Sequence, residues 1–156
     1  MTDARWIEIE TDLENALGHF EKSIALFEMG GFDQAGLRGY QAEMALMHAL
    51  QSAHTSLENG FLRILELLGE ERPIGRNWHA DLIRRIAKDL PGSRPAILSP
   101  ILAEAADETR RFRHRATHNY DAFESVDLEP TIRAADILVK KLRIEITQFK
   151  AAIDPD

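Results

Sequence analysis

Apolar residues recur along the chain at intervals of three and four, which is the spacing of one face of an α-helix. The first stripe contains Trp6, Ile9, Leu13, Leu17, Phe20, Ile24 and Phe27. It predicts a helix over about residues 3–28 that ends at Gly30-Gly31, because glycine readily takes the conformation that terminates helices. A second stripe, from Leu46 to Leu68, predicts a long helix that closes at Gly69.

Three further helices are predicted in the second half of the chain. Trp78, Leu82, Ile83 and Ile86 indicate a short helix, which the segment PGSRP ends. A stripe from Leu98 to Phe112 predicts a third long helix that runs into the segment RRFRHRATHNY, residues 110–120. The segment NYDAFESVDLEP, residues 119–130, has the composition of a loop, and a last stripe runs from Ile132 to Ile153.

These patterns predict an all-α fold, an antiparallel bundle of four long helices plus a short helix. No segment alternates polar and apolar residues with period two, so we expect no sheet. The length of 156 residues suits one domain, and no repeat or linker divides it, so we expect a single helical domain over residues 1–156.

The amino-acid composition limits the cellular compartments in which we expect the protein. The chain contains no cysteine, which excludes disulfides and thiolate metal sites and fits a reducing compartment. The N-terminal residues lack the apolar core of a signal peptide, and no apolar run approaches the ~20 residues of a membrane-spanning helix. We therefore expect a cytoplasmic protein with no membrane partner.

Charge is distributed unevenly along the chain, whose formal net charge is −7. Residues 1–60 contain ten acidic and three basic residues, whereas residues 61–156 contain sixteen of each. An anionic partner should therefore meet the second half.

The segment RRFRHRATHNY places four arginines and two histidines within eleven residues of this acidic protein. Arginine offers a planar fork that fits phosphate, and histidine can give or take a proton near neutral pH. Metal-free RNA cleavage needs a group to remove the proton of the 2′-hydroxyl, a group to protonate the leaving oxygen, and a cation to stabilise the phosphate. The segment contains residue types suited to all three tasks.

The run from Arg113 to Tyr120, RHRATHNY, resembles the Arg-x4-His-x-Tyr signature of HepT-like ribonuclease toxins of the HEPN superfamily. The resemblance implies a HEPN-like helical fold and a metal-independent endoribonuclease toxin of a toxin–antitoxin pair, with RNA as its substrate and no cofactor. It also implies a homodimer whose two motifs face each other across a cleft. The implied partner is a small nucleotidyltransferase antitoxin that can transfer AMP to the motif tyrosine.

Carried over to this chain, the resemblance assigns the catalytic pair to Arg113 and His118, with His114 as the polar residue beside the arginine. Tyr120 becomes the candidate modification site, where added bulk and negative charge would inhibit RNA binding. We expect Arg111 and Arg115 to attract the phosphates of the RNA backbone.

The identity of the working arginine stays open at this point. Arg111 also precedes His118 at a spacing that the motif permits. On an unbroken helix Arg111 and His118 nearly align, whereas Arg113 and His118 lie about 140° apart. Either the helix ends inside the motif, or the site is completed across a dimer, or Arg111 is the working residue.

Less specific interpretations compete with this one. The arginines could form ion pairs with acidic residues of neighbouring helices, which contribute only about 0–1 kcal/mol each when exposed. His114 and His118, four residues apart, could both bind zinc, although no third ligand is evident and we expect no metal. The whole chain could be a non-catalytic HEPN-like scaffold that pairs with a nucleotidyltransferase, or a helical subunit of a larger assembly.

Other candidate residues lie outside the motif. We expect His48 and His54 to be partly buried or to lie on a dimer surface, and Trp78 to anchor the core. Arg76 and His79, which flank that tryptophan, could line an RNA groove.

Overall fold

The computed structural model describes residues 3–118 and 128–154. It contains five helices: α1, Ala4–Met29; α2, Leu37–Leu67; α3, Trp78–Ala87; α4, Pro100–His118; and α5, Leu128–Ile153. Across these described ranges there is no β-strand, only an isolated bridge between Leu90 and Arg94. The predicted all-α fold of four long helices and a short one is therefore confirmed.

Pairs of side chains show how the long helices run relative to one another. Along α5, Arg143 meets Glu14 of α1, and the later residue Lys150 meets the earlier Glu10. These two helices are therefore antiparallel. Among the described helices, α1 packs against α2 and α5, while α4 packs against α2, α3 and α5. One hydrophobic core receives buried side chains from all five helices.

The predicted stripes supply this core. In α1, Trp6, Ile9, Leu17 and Phe20 are at most 2% exposed. A close approach at Gly60 brings α1 and α2 together, because a Cβ placed there would lie 2.6 Å from Cδ2 of Leu13. Glycine at this position therefore lets the second helix lie tightly on the first.

The ends of the helices follow local signals. Gly30 ends α1 with a φ of 68°, and its N–H donates to the carbonyls of Leu26 and Phe27. Pro100 opens α4 immediately after Ser99, whose Oγ accepts a hydrogen bond from Leu102 N at 3.4 Å. Proline suits the first turn because its missing N–H would have no helical partner there.

Two boundary predictions were wrong. Helix α2 begins at Leu37, well before the stripe that starts at Leu46, because residues 38–45 combine good helix formers with few buried side chains. The predicted loop 119–130 is also too long, since Leu128–Pro130 belong to α5. Leu128 is buried, and Pro130 falls in the first helical turn, where proline is tolerated. Residues 119–127 of that loop lie outside the described residues.

The described helices show no membrane-spanning segment: none combines sufficient length with sufficiently apolar composition.

Candidate active site

A pocket of about 560 Å³ lies between α3, the segment before it, and α4. It is lined by Arg76, Asn77, His79, Ala80, Arg110, Arg113, His114 and Thr117. These lining residues include three arginines and two histidines and no acidic residue. The described part of the chain thus contains a basic pocket beside the segment that the sequence singled out.

The pitch of α4 decides which motif residues reach this pocket. Arg110, Arg113, His114 and Thr117 follow one another at steps of three, one and three, so they share one face of the helix. Arg111 and Arg115 are not among the lining residues. His118 is the last residue of α4, and its side chain lies outside the description, as does the whole of Tyr120.

Helix α4 is continuous from Pro100 to His118. The helix therefore does not end between Arg113 and His118, which removes one of the three alternatives for the working arginine. By helical pitch these two residues lie about 140° apart around the axis. Completion across a dimer and use of Arg111 are the two arrangements left.

Arg113 is held by a neutral partner on another helix. Its Nε donates a hydrogen bond to Oγ1 of Thr55 in α2, at 3.2 Å. Together with Thr117 it also lines a second depression, of about 440 Å³, whose other lining residues belong to α2: His48, Gln51, Ser52, Thr55 and Ser56. Arg113 thus lies between two polar depressions.

Arg111 has a very different environment. Its guanidinium lies 3.0 Å from Glu104, 2.5 Å from Asp107 and 2.6 Å from Glu108. Hydrogen bonds to Glu108 and Glu104 raise the pKa of Arg111 above its usual range. Its charge is therefore already compensated by carboxylates of its own helix.

The remaining two arginines of the segment, Arg110 and Arg115, have fewer carboxylate contacts than Arg111. Arg110 lies 2.6 Å from Asp107, whereas Arg115 approaches Glu108 only to 4.0 Å and leaves 48% of its side chain exposed. The ion-pair interpretation is thus correct for Arg110 and Arg111, but the partners lie on α4 itself rather than on a neighbouring helix. Over the described ranges, neither Arg76 nor Arg113 forms an ion pair with a carboxylate.

A buried polar cluster lies directly behind the pocket. Oε2 of Glu58 accepts a hydrogen bond from Nδ1 of His79 at 2.5 Å and lies 3.3 Å from Nε2 of His54. Nδ1 of His54 in turn lies 2.8 Å from Oγ1 of Thr109. The cluster connects α2, α3 and α4, and only His79 reaches the pocket.

Glu58 is the acidic centre of this cluster, with only 5% of its side chain exposed. Burial alone would raise the pKa of Glu58, but the nearby imidazole of His54 and then the hydrogen bond and charge from His79 outweigh that effect. The net effect lowers the pKa below the ordinary 4.5. Glu58 is therefore ionised at neutral pH.

The expectation that Arg76 and His79 could line a groove agrees with the structure, because both residues line the pocket. The ring of His79 stacks on that of Trp78, with centroids 3.6 Å apart and an angle of 29°. Trp78 is partly buried and packs against the core, whereas His48 is exposed and His54 is 1% exposed.

Sequence reasoning missed Glu58 and Arg110. Glu58 lies between the stripe residues Leu57 and Phe61, and this position on the apolar face was the signal that could have identified a buried and paired carboxylate. Arg110 lies three residues before Arg113, and this spacing was the signal that could have placed the two arginines on one helix face.

Within residues 3–118 and 128–154, no group of three or more His, Asp or Glu side chains is arranged to hold a metal ion.

A family model described as "HepT-like protein" matches residues 45–153 of the chain. The match covers α3, α4 and α5 and most of α2, and so includes both walls of the pocket. No curated protein and no solved structure matches the chain significantly.

Proposed function

Because the chain belongs to the HepT-like protein family of the HEPN superfamily, we propose that it is a metal-independent endoribonuclease and the toxin of a toxin–antitoxin pair. The observation that carries this proposal is the basic pocket between α3 and α4, where Arg113 and His114 of the motif meet Arg76, His79 and Arg110.

The electrostatics of the pocket suit an RNA phosphate. Arg76 and Arg113 reach it without carboxylate partners in the described part of the chain, so their charge is available to an anion. Arginine binds phosphate through two parallel N–H donors, and such donors stabilise the charge that develops during cleavage. A volume of about 560 Å³ lies within the usual range of small-ligand sites.

In this proposal each motif residue has a separate role. Arg113 binds the scissile phosphate and stabilises the transition state, and His118 transfers a proton as general acid or base. His114 positions the substrate or gives a proton. Arg115 attracts backbone phosphates, and Arg111 does so more weakly, because three carboxylates compete for its guanidinium.

The site is completed in a homodimer. Helix α4 is continuous through both residues, and a separation of five positions places Arg113 and His118 about 140° apart around its axis. Two copies related by a two-fold axis can bring the arginine of one to the histidine of the other. In such an interface a residue of one copy contacts a different residue of its partner, and the reverse contact is made as well.

The partner implied by the family is a small nucleotidyltransferase antitoxin. It would transfer AMP to Tyr120, which follows His118 by two residues in the sequence. An added phosphate there would repel the RNA backbone near the motif and would stop cleavage.

The decisive experiment is an RNA cleavage assay in EDTA on the wild-type protein, on His118→Ala and on the control His19→Ala. His19 lies on α1, which packs against neither α3 nor α4 in the described structure. The wild type and the control should cleave RNA, and His118→Ala should not. RNA binding without cleavage by the wild type would instead support the non-catalytic scaffold.

A further inference from the structure

We propose that His79, oriented by Glu58, is a second proton-transfer group of the pocket and acts as the general base on the RNA 2′-hydroxyl. This inference rests on the proposed ribonuclease function, and it adds a catalytic residue that lies outside the Arg-x4-His motif.

The first step is the contact between His79 and Glu58. Nδ1 of His79 lies 2.5 Å from Oε2 of Glu58, a carboxylate that is 95% buried at the side-chain level, while a third of the His79 side chain is exposed. One end of the imidazole is thus fixed in the interior, while His79 as a residue lines the pocket. Stacking on Trp78 holds the plane of the ring.

The second step is the tautomer. An ionised carboxylate can only accept hydrogen bonds, so Nδ1 of His79 must carry the proton. In the neutral ring Nε2 then keeps its lone pair. No group in the described part of the chain forms a hydrogen bond with Nε2 of His79. The nitrogen that remains for a substrate is therefore a proton acceptor, as a general base requires.

The third step concerns the far side of Glu58. The hydroxyl of Thr109 donates to the carbonyl of Ala106, so its oxygen accepts from Nδ1 of His54. Nε2 of His54 lies 3.3 Å from Glu58 without the geometry of a hydrogen bond. The short contact of Glu58 is thus the one to His79, and the carboxylate is positioned to orient that ring.

The chemical step balances without any added reactant. The 2′-oxygen forms a bond to phosphorus and transfers its proton to Nε2 of His79, while the bond from phosphorus to the 5′-oxygen breaks. The leaving 5′-oxygen takes a proton from the general acid, which the proposed function places at His118. Arg113 stabilises the negative charge on the phosphate during the transfer.

The test compares His79→Ala with the matched control His19→Ala in the EDTA cleavage assay. We expect kcat of His79→Ala to fall by about 10²–10⁴-fold. Its affinity for an uncleavable 2′-deoxy oligonucleotide should stay at the wild-type level. Added imidazole should restore part of the rate, which a merely structural role of His79 would not allow.

The pH–rate profile gives a second readout. Its acid limb, which reports protonation of the general base, should be lost in His79→Ala. The charged and titratable groups that surround His79 come from three directions: Arg76 before α3, Glu58 and His54 from α2, and Arg110, Arg113 and His114 from α4. The control His19→Ala leaves all of them in place, so a changed profile there would count against the assignment.

Glu58 is a positioning residue in this inference. In Glu58→Gln the neutral amide can accept from Nδ1 or donate to it, so the tautomer of His79 is no longer fixed and kcat should fall while KM stays unchanged. Nitrogen NMR of the imidazole should show the proton on Nδ1 in the wild type and a mixture of the two tautomers in the variant.

Each result has a distinct meaning. A wild type that cleaves RNA with an equally active His79→Ala would overturn the role of His79 and leave the ribonuclease proposal standing. A wild type that does not cleave RNA would overturn both. The wild-type tautomer with its proton on Nε2 would overturn the assignment of His79 as the base.

Discussion

Arg113 donates a hydrogen bond from Nε to Oγ1 of Thr55 at 3.2 Å, so a hydroxyl of α2 holds the motif arginine. Two residues earlier, Arg111 is surrounded by three carboxylates of its own helix. A neutral partner orients a guanidinium without compensating its charge. The two arginines therefore differ in their capacity to stabilise an anion, and Arg113 has the greater one.

Replacement of Arg113 should lower the rate of RNA cleavage while the protein stays folded. We expect Arg113→Ala to lower the RNA cleavage rate by about 10²–10³-fold, because a positioned donor to the transition state is removed. Arg113→Lys should recover only part of the rate, since an ammonium lacks the planar fork. Single-turnover cleavage measures both.

The control for this comparison is Arg63→Ala. Arg63 lies on α2 and pairs with Glu8 and Asp12 on the side of α2 that faces α1, so its loss should leave cleavage at the wild-type rate. Wild-type cleavage by Arg113→Ala would contradict the assignment and would favour Arg111.

The exposed arginines should differ in the salt dependence of RNA binding. Arg115 has 48% of its side chain exposed and only a 4.0 Å contact with Glu108. Arg115→Ala should therefore make the negative slope of log K against log salt shallower by about 0.7, the value for one phosphate contact with a single strand. Arg111→Ala should change the slope less, because carboxylates already occupy its guanidinium. Binding of an uncleavable oligonucleotide at several salt concentrations tests this order, and equal slopes for the two variants would contradict it.

The fold was predictable from periodicity, whereas the site was predictable only in part. Stripes such as Trp6 to Phe27 mark buried faces directly, because burial of apolar surface dominates helix packing. Helix α2 extends beyond its stripe because the early turns depend on helix propensity, which leaves no periodic signal.

The pocket depends on contacts between elements that are distant in sequence. The motif predicted Arg113 and His114 as site residues, and the sequence also offered His79 as a groove residue, whereas Glu58 of α2, which contacts His79 behind the pocket, emerges only from the structure. The distance of 21 residues between Glu58 and His79 conceals their contact, because spacing within one helix cannot reveal which faces of two helices meet.

Glu58 should make the stability of the protein depend on pH. Its pKa is lowered below 4.5 in the folded state, because the interactions of its carboxylate with the imidazoles of His54 and His79 outweigh the effect of burial. The carboxylate therefore contributes stability that is present above pH 4.5 and is lost as the pH falls through the lowered folded pKa. Urea unfolding at a series of pH values measures the decline.

Glu58→Gln isolates this contribution. At neutral pH the variant should be less stable by about 3 kcal/mol, because two imidazoles lose the carboxylate between them. Below pH 4.5 the difference between the two proteins should shrink. A constant difference across the whole pH range would show that the loss comes from packing rather than from the charge.

Arg94 should be a stability determinant unrelated to cleavage. Its side chain is 2% exposed and donates to both carboxylate oxygens of Glu70, at 2.5 and 3.1 Å, and to the carbonyls of Arg85, Lys88 and Pro95. We expect Arg94→Ala to cost about 3 kcal/mol in the free energy of unfolding, since a buried guanidinium is lost and the half-buried Glu70 and three backbone carbonyls lose their donor. The control Arg84→Ala removes an exposed pair with Asp81 and should cost less than about 1 kcal/mol. Similar losses in both variants, measured by urea unfolding, would contradict the buried role of Arg94.

Mixing two inactive variants tests whether the site spans two chains. Suppose that each site combines Arg113 of one chain with His118 of the other. In a heterodimer of Arg113→Ala and His118→Ala, one of the two sites then carries both substitutions and the other carries neither. An equal mixture in which half the dimers are mixed should therefore recover about a quarter of the wild-type RNA cleavage. A site contained within one chain predicts no recovery, because every chain then carries one defective residue. The continuous α4 helix favours recovery, since it sets Arg113 and His118 about 140° apart around one axis.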